Sequence, residues 1–340
     1  MNGTTDASLD EIRTLLNNLP PPDDAAAAAA AAREKALTKP EGSLGLLEGL
    51  TEWFVSWQGL HPPRLERPRV AVFAGNHGIA QHDISAYPAE VTAQMVANFQ
   101  AGGGAINQLC QLYDSELRIY EMALDQPTAD FTKTPALSEQ ECARAMTYGM
   151  MAVEDGIDAV CLGEMGIGNT TSAAALCCAM FGGEARDWTG PGTGVSDSAL
   201  TRKINTVIAG LDCHHGHLDD PFEVMRRLGG HELAAIVGAV IAARIGRVPV
   251  ILDGYAATAA AAVLHKIDSK ALDHCIVGHL SAEPAHGRLL ECIDKSPLLE
   301  LGMRLGEASG AVMALGVLRG AITCHTGMAS FTEAQVSRKL

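Results

Sequence analysis

The sequence predicts an α/β protein: a Rossmann-like, mostly parallel sheet with helices on both faces, beside a small helical domain drawn from the two chain ends. Three observations predict it. From Arg69 onward, short β-rich runs alternate with longer helical patterns, the alternation that builds a parallel sheet covered on both sides. The stretches before residue 60 and after Ser296 read as helix alone. The chain has 340 residues, 47% apolar and 19% charged, which suits a globular protein with a large core.

The elements follow in order. Residues 1 to about 60 read as helices. Pro20-Pro21-Pro22 ends the first, and Asp23-Asp24 place negative charge at the start of the run Ala25–Ala32, where the helix dipole favours it. That low-complexity run reads as a plain packing helix. Strands are expected at Val70–Ala74, Leu117–Tyr120, Ala159–Leu162, Pro249–Leu252 and Cys275–Gly278. Ser138 and Glu141 form a capping box that opens a helical segment over Ser138–Glu154. In Asp197–Leu211, the residues Leu200, Ile204, Val207, Ile208 and Leu211 share one helical face. Ser296-Pro297 reads as a cap with proline at the first helical position. The expected division is a large α/β domain over 61–295 and a small helical domain made of 1–60 and 296–340.

Composition excludes several functions. A net charge of −15 without any basic stripe argues against a nucleic-acid partner, whose binding needs clustered Lys and Arg. A small anionic substrate stays compatible, because a local site can hold phosphate within an acidic protein. The nine cysteines are odd in number, lack any CxxC and mostly sit in apolar runs. They read as reduced core thiols of a cytoplasmic protein. Asp6, Asp10 and Glu11 do not fit the order of a signal peptide. The longest apolar run, Leu233–Ala243, is too short to span a bilayer. No membrane partner is expected.

Ligands of such sheets sit beyond the carboxyl ends of the strands, so the strand-end loops carry the chemistry. The first strand ends in Gly75-Asn76-His77-Gly78, and His77 reads as structural. The third ends in Gly163-Glu164-Met165-Gly166-Ile167-Gly168-Asn169-Thr170-Thr171 and leads into a helix. It is neither a Walker loop nor a dinucleotide fingerprint. It reads either as an anion site at a helix start, with Glu164 on the loop, or as a tight turn. Gly190-Pro191-Gly192-Thr193-Gly194 precedes a helix carrying Arg202 and Lys203, which taken alone read as a solvated basic pair. The Asp212–Asp220 stretch, with Cys213, His214, His215 and His217, lacks metal-ligand spacing. The loop with His279, Ser281-Ala282-Glu283-Pro284 and His286 can border the site. Glycines at 302, 306 and 310 are costly inside a helix. They mark either close packing or a break that presents Glu307, with a local Arg304–Glu307 ion pair expected from spacing.

Lys39-Pro40-Glu41-Gly42-Ser43-Leu44-Gly45, Asn76-His77-Gly78, the Gly163–Thr171 loop, Leu252-Asp253-Gly254 and Arg304-Leu305-Gly306-Glu307-Ala308-Ser309-Gly310 together resemble one family closely. It is nicotinate-nucleotide–dimethylbenzimidazole phosphoribosyltransferase, of the cobalamin lower-ligand pathway. The resemblance runs nearly end to end. It implies a large α/β domain, a small helical domain from both termini and a homodimer. Glu307 resembles the family's general base, and Glu164 matches the carboxylate beside the nucleotide ribose. Gly166, Gly168, Asn169, Thr170, Thr171, Gly192 and Gly194, with Lys203 and Arg304, fall where the family holds the nucleotide. Around Ser85-Ala86-Tyr87-Pro88 and Gln94-Met95 the sequence departs from some members. Tyr87 and Gln94 are assigned there to the aromatic base.

The chemistry fits these residues. Nicotinate leaves the donor as a neutral ring and needs no acid, unlike the alkoxide of a glycosidase. One carboxylate, Glu307, then suffices to take the proton of the attacking base, while Glu164 steadies the ribosyl cation. Attack opposite the leaving group implies inversion, and no metal or cofactor is called for. The alternatives are a nucleoside-phosphate glycohydrolase and a non-catalytic nucleotide-binding regulator.

Overall fold

The computed structural model describes residues 7–192 and 194–337, so Asp6 and Thr193 lie outside the described residues. Helices α1 (Leu9–Leu16), α2 (Asp24–Ala36) and α3 (Leu46–Gln58) precede strand β1 (Pro68–Ala74). Helices α4 (Glu90–Gln100) and α5 (Ala105–Leu112) lead to β2 (Glu116–Glu121), and α6 (Glu139–Met150) to β3 (Ala159–Met165). Five helices then intervene: α7 (Asn169–Phe181), α8 (Ala185–Trp188), α9 (Asp197–Cys213), α10 (Pro221–Leu228) and α11 (His231–Ile245). The chain continues through β4 (Val250–Leu252), α12 (Tyr255–Ile267), β5 (Cys275–His279), α13 (Ala285–Cys292), β6 (Pro297–Leu299) and α14 (Ser309–Gly327).

All six strands pair in parallel, in the order β2-β1-β3-β4-β5-β6. Alternate residues of β1 serve opposite cores, as the period of two requires. Val70 and Val72 pack with Phe54, Ile106 and Leu315, whereas Ala71 and Phe73 face the core of Met146, Leu176 and Ile236. Both faces are covered, which is why the strand reads as one unbroken apolar run. The two chain ends meet: Arg33 Nε donates to the His325 carbonyl at 2.7 Å, and Leu37 bridges Ser330. The inner face of α14, with Ala311, Val312 and Leu315, lies in the core formed by β1, β3 and α3.

Five strands match their expected positions, and the Ser138–Glu141 capping box is present. Ser296-Pro297 does not start a helix. Pro297 opens the edge strand β6, paired with Val277, a place where proline's missing N–H breaks no ladder bond. The expected apolar face of α9 is also rotated. Its buried side is Ala199, Lys203, Thr206, Val207 and Gly210, while Ile208 is 44% exposed. The cysteines are not uniformly core, since Cys213 and Cys292 are exposed and Cys324 is half-buried. Among the described residues, no helix is long and apolar enough to cross a membrane.

Candidate active site

The strand order turns back at β1: β2 lies on one side, and β3 with the later strands on the other. Loops leaving the carboxyl ends at such a switch point diverge and open a crevice. Here the crevice is a narrow cleft of about 90 Å³. Glu164 and Met165 at the end of β3 with Gly166 to Thr170 beyond it, Gly254 and Tyr255 after β4, and Arg304 to Gly306 after β6 contribute to its wall.

One end of the site is acidic. Glu164 belongs to β3 itself and not to the loop that follows, so the sheet holds its backbone. Its carboxylate accepts from the Asn169 side chain, and its carbonyl accepts the Glu307 N–H at 3.1 Å. The 306–308 turn can come this close because residue 163 is glycine; a Cβ there would overlap the Ala308 backbone. Glu307 and Ala308 both adopt positive φ, 63° and 62°, a conformation that costs energy outside glycine and persists where surroundings impose it. The chain breaks at Gly302 and Gly306 to make this turn, and only Gly310 lies in α14, packed against His279.

Burial raises three carboxyl groups here. Glu164 is pushed up to about 8 by desolvation, then by the Asp253 and Glu232 charges, with Asn169 opposing. Glu307, 3% exposed, is pushed up to about 7 by desolvation. Asp253, at the end of β4, rises to about 7 for the same reason even though its Oδ1 accepts the Ala311 N–H at 3.0 Å. Glu307 follows the wall residue Gly306 but does not itself line the open cleft.

The other end is cationic. Lys203 is buried, not solvated; its Nζ donates to Thr170 Oγ1 at 3.0 Å and to the Gly190 carbonyl at 2.9 Å. Burial lowers it to about 8, with Glu283 opposing. Arg304 does not pair with Glu307; its Nη1 donates to the Gly192 carbonyl at 2.7 Å. Arg202 turns away and donates to the Asp83 carbonyl. Gly168, at φ 99°, precedes α7 at the cleft, whose Asn169 and Thr171 N–H groups donate to the Gly166 and Gly168 carbonyls at 3.2 and 3.0 Å; the positive end of the helix dipole is what faces an anion there.

Gly166, Gly168, Asn169, Thr170, Gly192, Lys203 and Arg304 thus gather around one cleft with Glu164. Thr171 is fully buried and Gly194 is exposed; neither lines it. Tyr87, 54% exposed, lines a neighbouring open hollow that shares Ser85 with the cleft, and exposed Gln94 lines neither. His77 is structural: its ring meets Ser172 Oγ at 3.0 Å and Glu232 Oε1 at 2.7 Å, all buried. In the Asp212–Asp220 stretch, His214 is buried against the Phe131 carbonyl. Sequence reasoning quoted Asp253 only within a family motif and placed His279 and Glu283 only at the border of the site, without a role for any of the three; His279 and Glu283 line the cleft, and Asp253 lies buried at the end of β4.

A sequence family described as phosphoribosyltransferase matches residues 19–336. A relative from Rhizobium etli is 55% identical over 97% of this chain and 97% of its own length. Another, from Methylocella silvestris, is 54% identical over 98% of both. Both carry the name nicotinate-nucleotide–dimethylbenzimidazole phosphoribosyltransferase. A crystal structure of the enzyme so named from Thermus thermophilus superposes with a TM-score of 0.85 at 37% identity, covering 93% of this chain and 100% of that one. With strand-end carboxylates, a glycine-loop helix start and a buried lysine at one switch point, this chain belongs to the nicotinate-nucleotide–dimethylbenzimidazole phosphoribosyltransferase family.

Proposed function

We propose that this phosphoribosyltransferase moves the 5-phosphoribosyl group of nicotinate mononucleotide onto 5,6-dimethylbenzimidazole. The products are α-ribazole 5'-phosphate, for the lower ligand of cobalamin, and nicotinate. The observation that carries the reading is the backbone bond from Glu307 to Glu164, which fixes two raised carboxyl groups side by side.

In this reading the phosphate lies toward Lys203, Arg304, Gly192 and the start of α7, and the ribose lies by Glu164. The donor's pyridinium brings a positive charge beside Glu164, Asp253 and Glu307, which favours their ionised forms. Glu307 then takes the proton from one nitrogen of the aromatic base as the other attacks the anomeric carbon. A base that titrates near neutrality is matched to that task. The C–N bond to nicotinate breaks on the opposite face, the electron pair returns to the ring, and the configuration inverts. Tyr87 and Gln94 belong to the side from which the aromatic base enters.

The division into a large domain over 61–295 and a small one from 1–60 and 296–340 is part of the same proposal, with β6 moved to the large domain because it completes the sheet; a homodimer is proposed as well. So is a cytoplasmic location, which the free thiols support. The test is incubation with nicotinate mononucleotide with and without dimethylbenzimidazole. Nicotinate release that requires the base, with an α-ribosyl product of the right mass, is expected. Release that ignores the base would mean hydrolysis.

A further inference from the structure

At the cationic end of the cleft, one acid has no place in the mechanism above. Glu283, in the loop between β5 and α13, is 4% exposed and lines the same wall as Lys203, Thr170 and Arg304. Its Oε1 accepts the Gly192 N–H at 2.7 Å, and its Oε2, buried against Gly190, has no hydrogen-bond partner. The carboxylate therefore already holds an amide of the glycine loop. It also faces the two cations that a phosphate would use.

The surrounding groups leave few ways to accommodate a second anion. Lys203 approaches from α9, Arg304 from the loop after β6, and the buried Tyr255 phenol from α12. On its own segment, Ser281 Oγ accepts the Glu283 N–H, and Ser281 N–H donates to His286 Nδ1. His286 Nε2 meets Thr258 Oγ1 at 3.2 Å. The buried His279 ring lies 3.6 Å from Asp253 and is disfavoured as a cation by desolvation. No third cation faces Glu283 among these groups. Two anions forced together in low dielectric resolve the conflict by sharing a proton.

We propose that Glu283 is a specificity-determining residue whose carboxyl takes up a proton when the substrate's phosphate binds beside it and shares that proton with a phosphate oxygen. The proton comes from solvent, so binding a phosphorylated donor takes up a proton that binding the unphosphorylated riboside does not. Burial raises the carboxyl above its ordinary range, with Lys203, the Gly192 amide and Arg304 opposing. The inference rests on the proposed phosphate position and deepens it.

The test is titration calorimetry at pH 7 in two buffers of different ionisation enthalpy, with nicotinate mononucleotide and nicotinate riboside as probes. A phosphate ester titrating near 6 that binds as its dianion releases about a tenth of a proton at this pH, and Lys203, at about 8, takes up no more than about a tenth. The wild type should take up several-fold more than that with the mononucleotide relative to the riboside. Glu283→Gln, which keeps an acceptor for Gly192 and a donor for the phosphate, should lose that difference. It should also bind the mononucleotide at least as tightly as the wild type at pH 8. Equal uptake for both probes in the wild type overturns the proposal without any variant. So does an unchanged difference in Glu283→Gln. If Lys203→Met leaves mononucleotide affinity intact, the phosphate position itself is wrong. If Lys203→Met weakens binding tenfold or more while Glu283→Gln still takes up the proton, only the role of Glu283 fails.

Discussion

Replacing Glu307 by glutamine tests the proposed chemistry and the electrostatics of the site together. The amide is nearly isosteric, so the turn held by the Glu307 N–H to the Glu164 carbonyl remains, and the cationic end of the cleft is untouched. Loss of a general base typically removes about 10²–10⁴ in rate, or about 3–5 kcal/mol of transition-state stabilisation. Turnover should therefore fall at least ~100-fold, with the KM for the nucleotide within about threefold. A second readout comes from stability. Glu307 is pushed up from 4.5 to about 7 in the folded protein. The folded state thus binds more protons than the unfolded state between these values, and stability falls as pH rises from 4.5 through 7. Ionising this buried group costs about 3 kcal/mol once pH exceeds both values. Glutamine avoids that cost. Glu307→Gln should match the wild type in melting temperature near pH 4.5 and exceed it by roughly 4 °C at pH 8.5, for a protein of this size. Steady-state kinetics and thermal scans at the two pH values read both effects. Turnover within about threefold of wild type would remove Glu307 from the base role, and a lower melting temperature at pH 8.5 would refute the buried-acid argument.

Three further outcomes are expected. The kcat/KM profile should be a narrow bell, rising between about 7 and 8 as Glu307 and Glu164 lose their protons and falling above about 8 as Lys203 does; a profile flat from pH 6 to 9 would contradict these assignments. Lys203→Met should raise the nucleotide KM at least ~10-fold, leave kcat within a few-fold and flatten the alkaline limb, because a charged hydrogen-bond donor is worth about 1.5–3 kcal/mol. Gly163→Ala should cost about 1–3 kcal/mol in denaturant unfolding, since its methyl group meets the Ala308 backbone. It should also slow turnover more than it weakens nucleotide binding, as the turn carrying Glu307 is pushed from Glu164.

Local pattern sufficed wherever the deciding neighbours are close in sequence. The apolar run of β1, the Ser138–Glu141 capping box and the alanine helix announce themselves, because period, cap and propensity act within a few residues. The glycines at 302 and 306 pointed either to close packing or to a break before Glu307, and the structure takes the break, since the turn there needs positive φ. The three-residue edge strand β6 escaped notice, because Ser-Pro reads equally as a helix start until β5 lies beside it.

Charge state and partnership were beyond the reach of pattern. Lys203 looks like half of a solvated pair, yet packing of α9 beside α7 turns it inward to Thr170 and Gly190. Arg304 looks paired with Glu307, yet it reaches across to Gly192. By itself, the sequence determined the alternation of strands and helices, the loops that carry the chemistry and the resemblance that named the chemistry. Tertiary structure alone decided which carboxyl groups are buried together and which cations face them. Desolvation and Coulomb energy depend on distance through space, and the sheet brings remote chain segments within a few ångströms of one another.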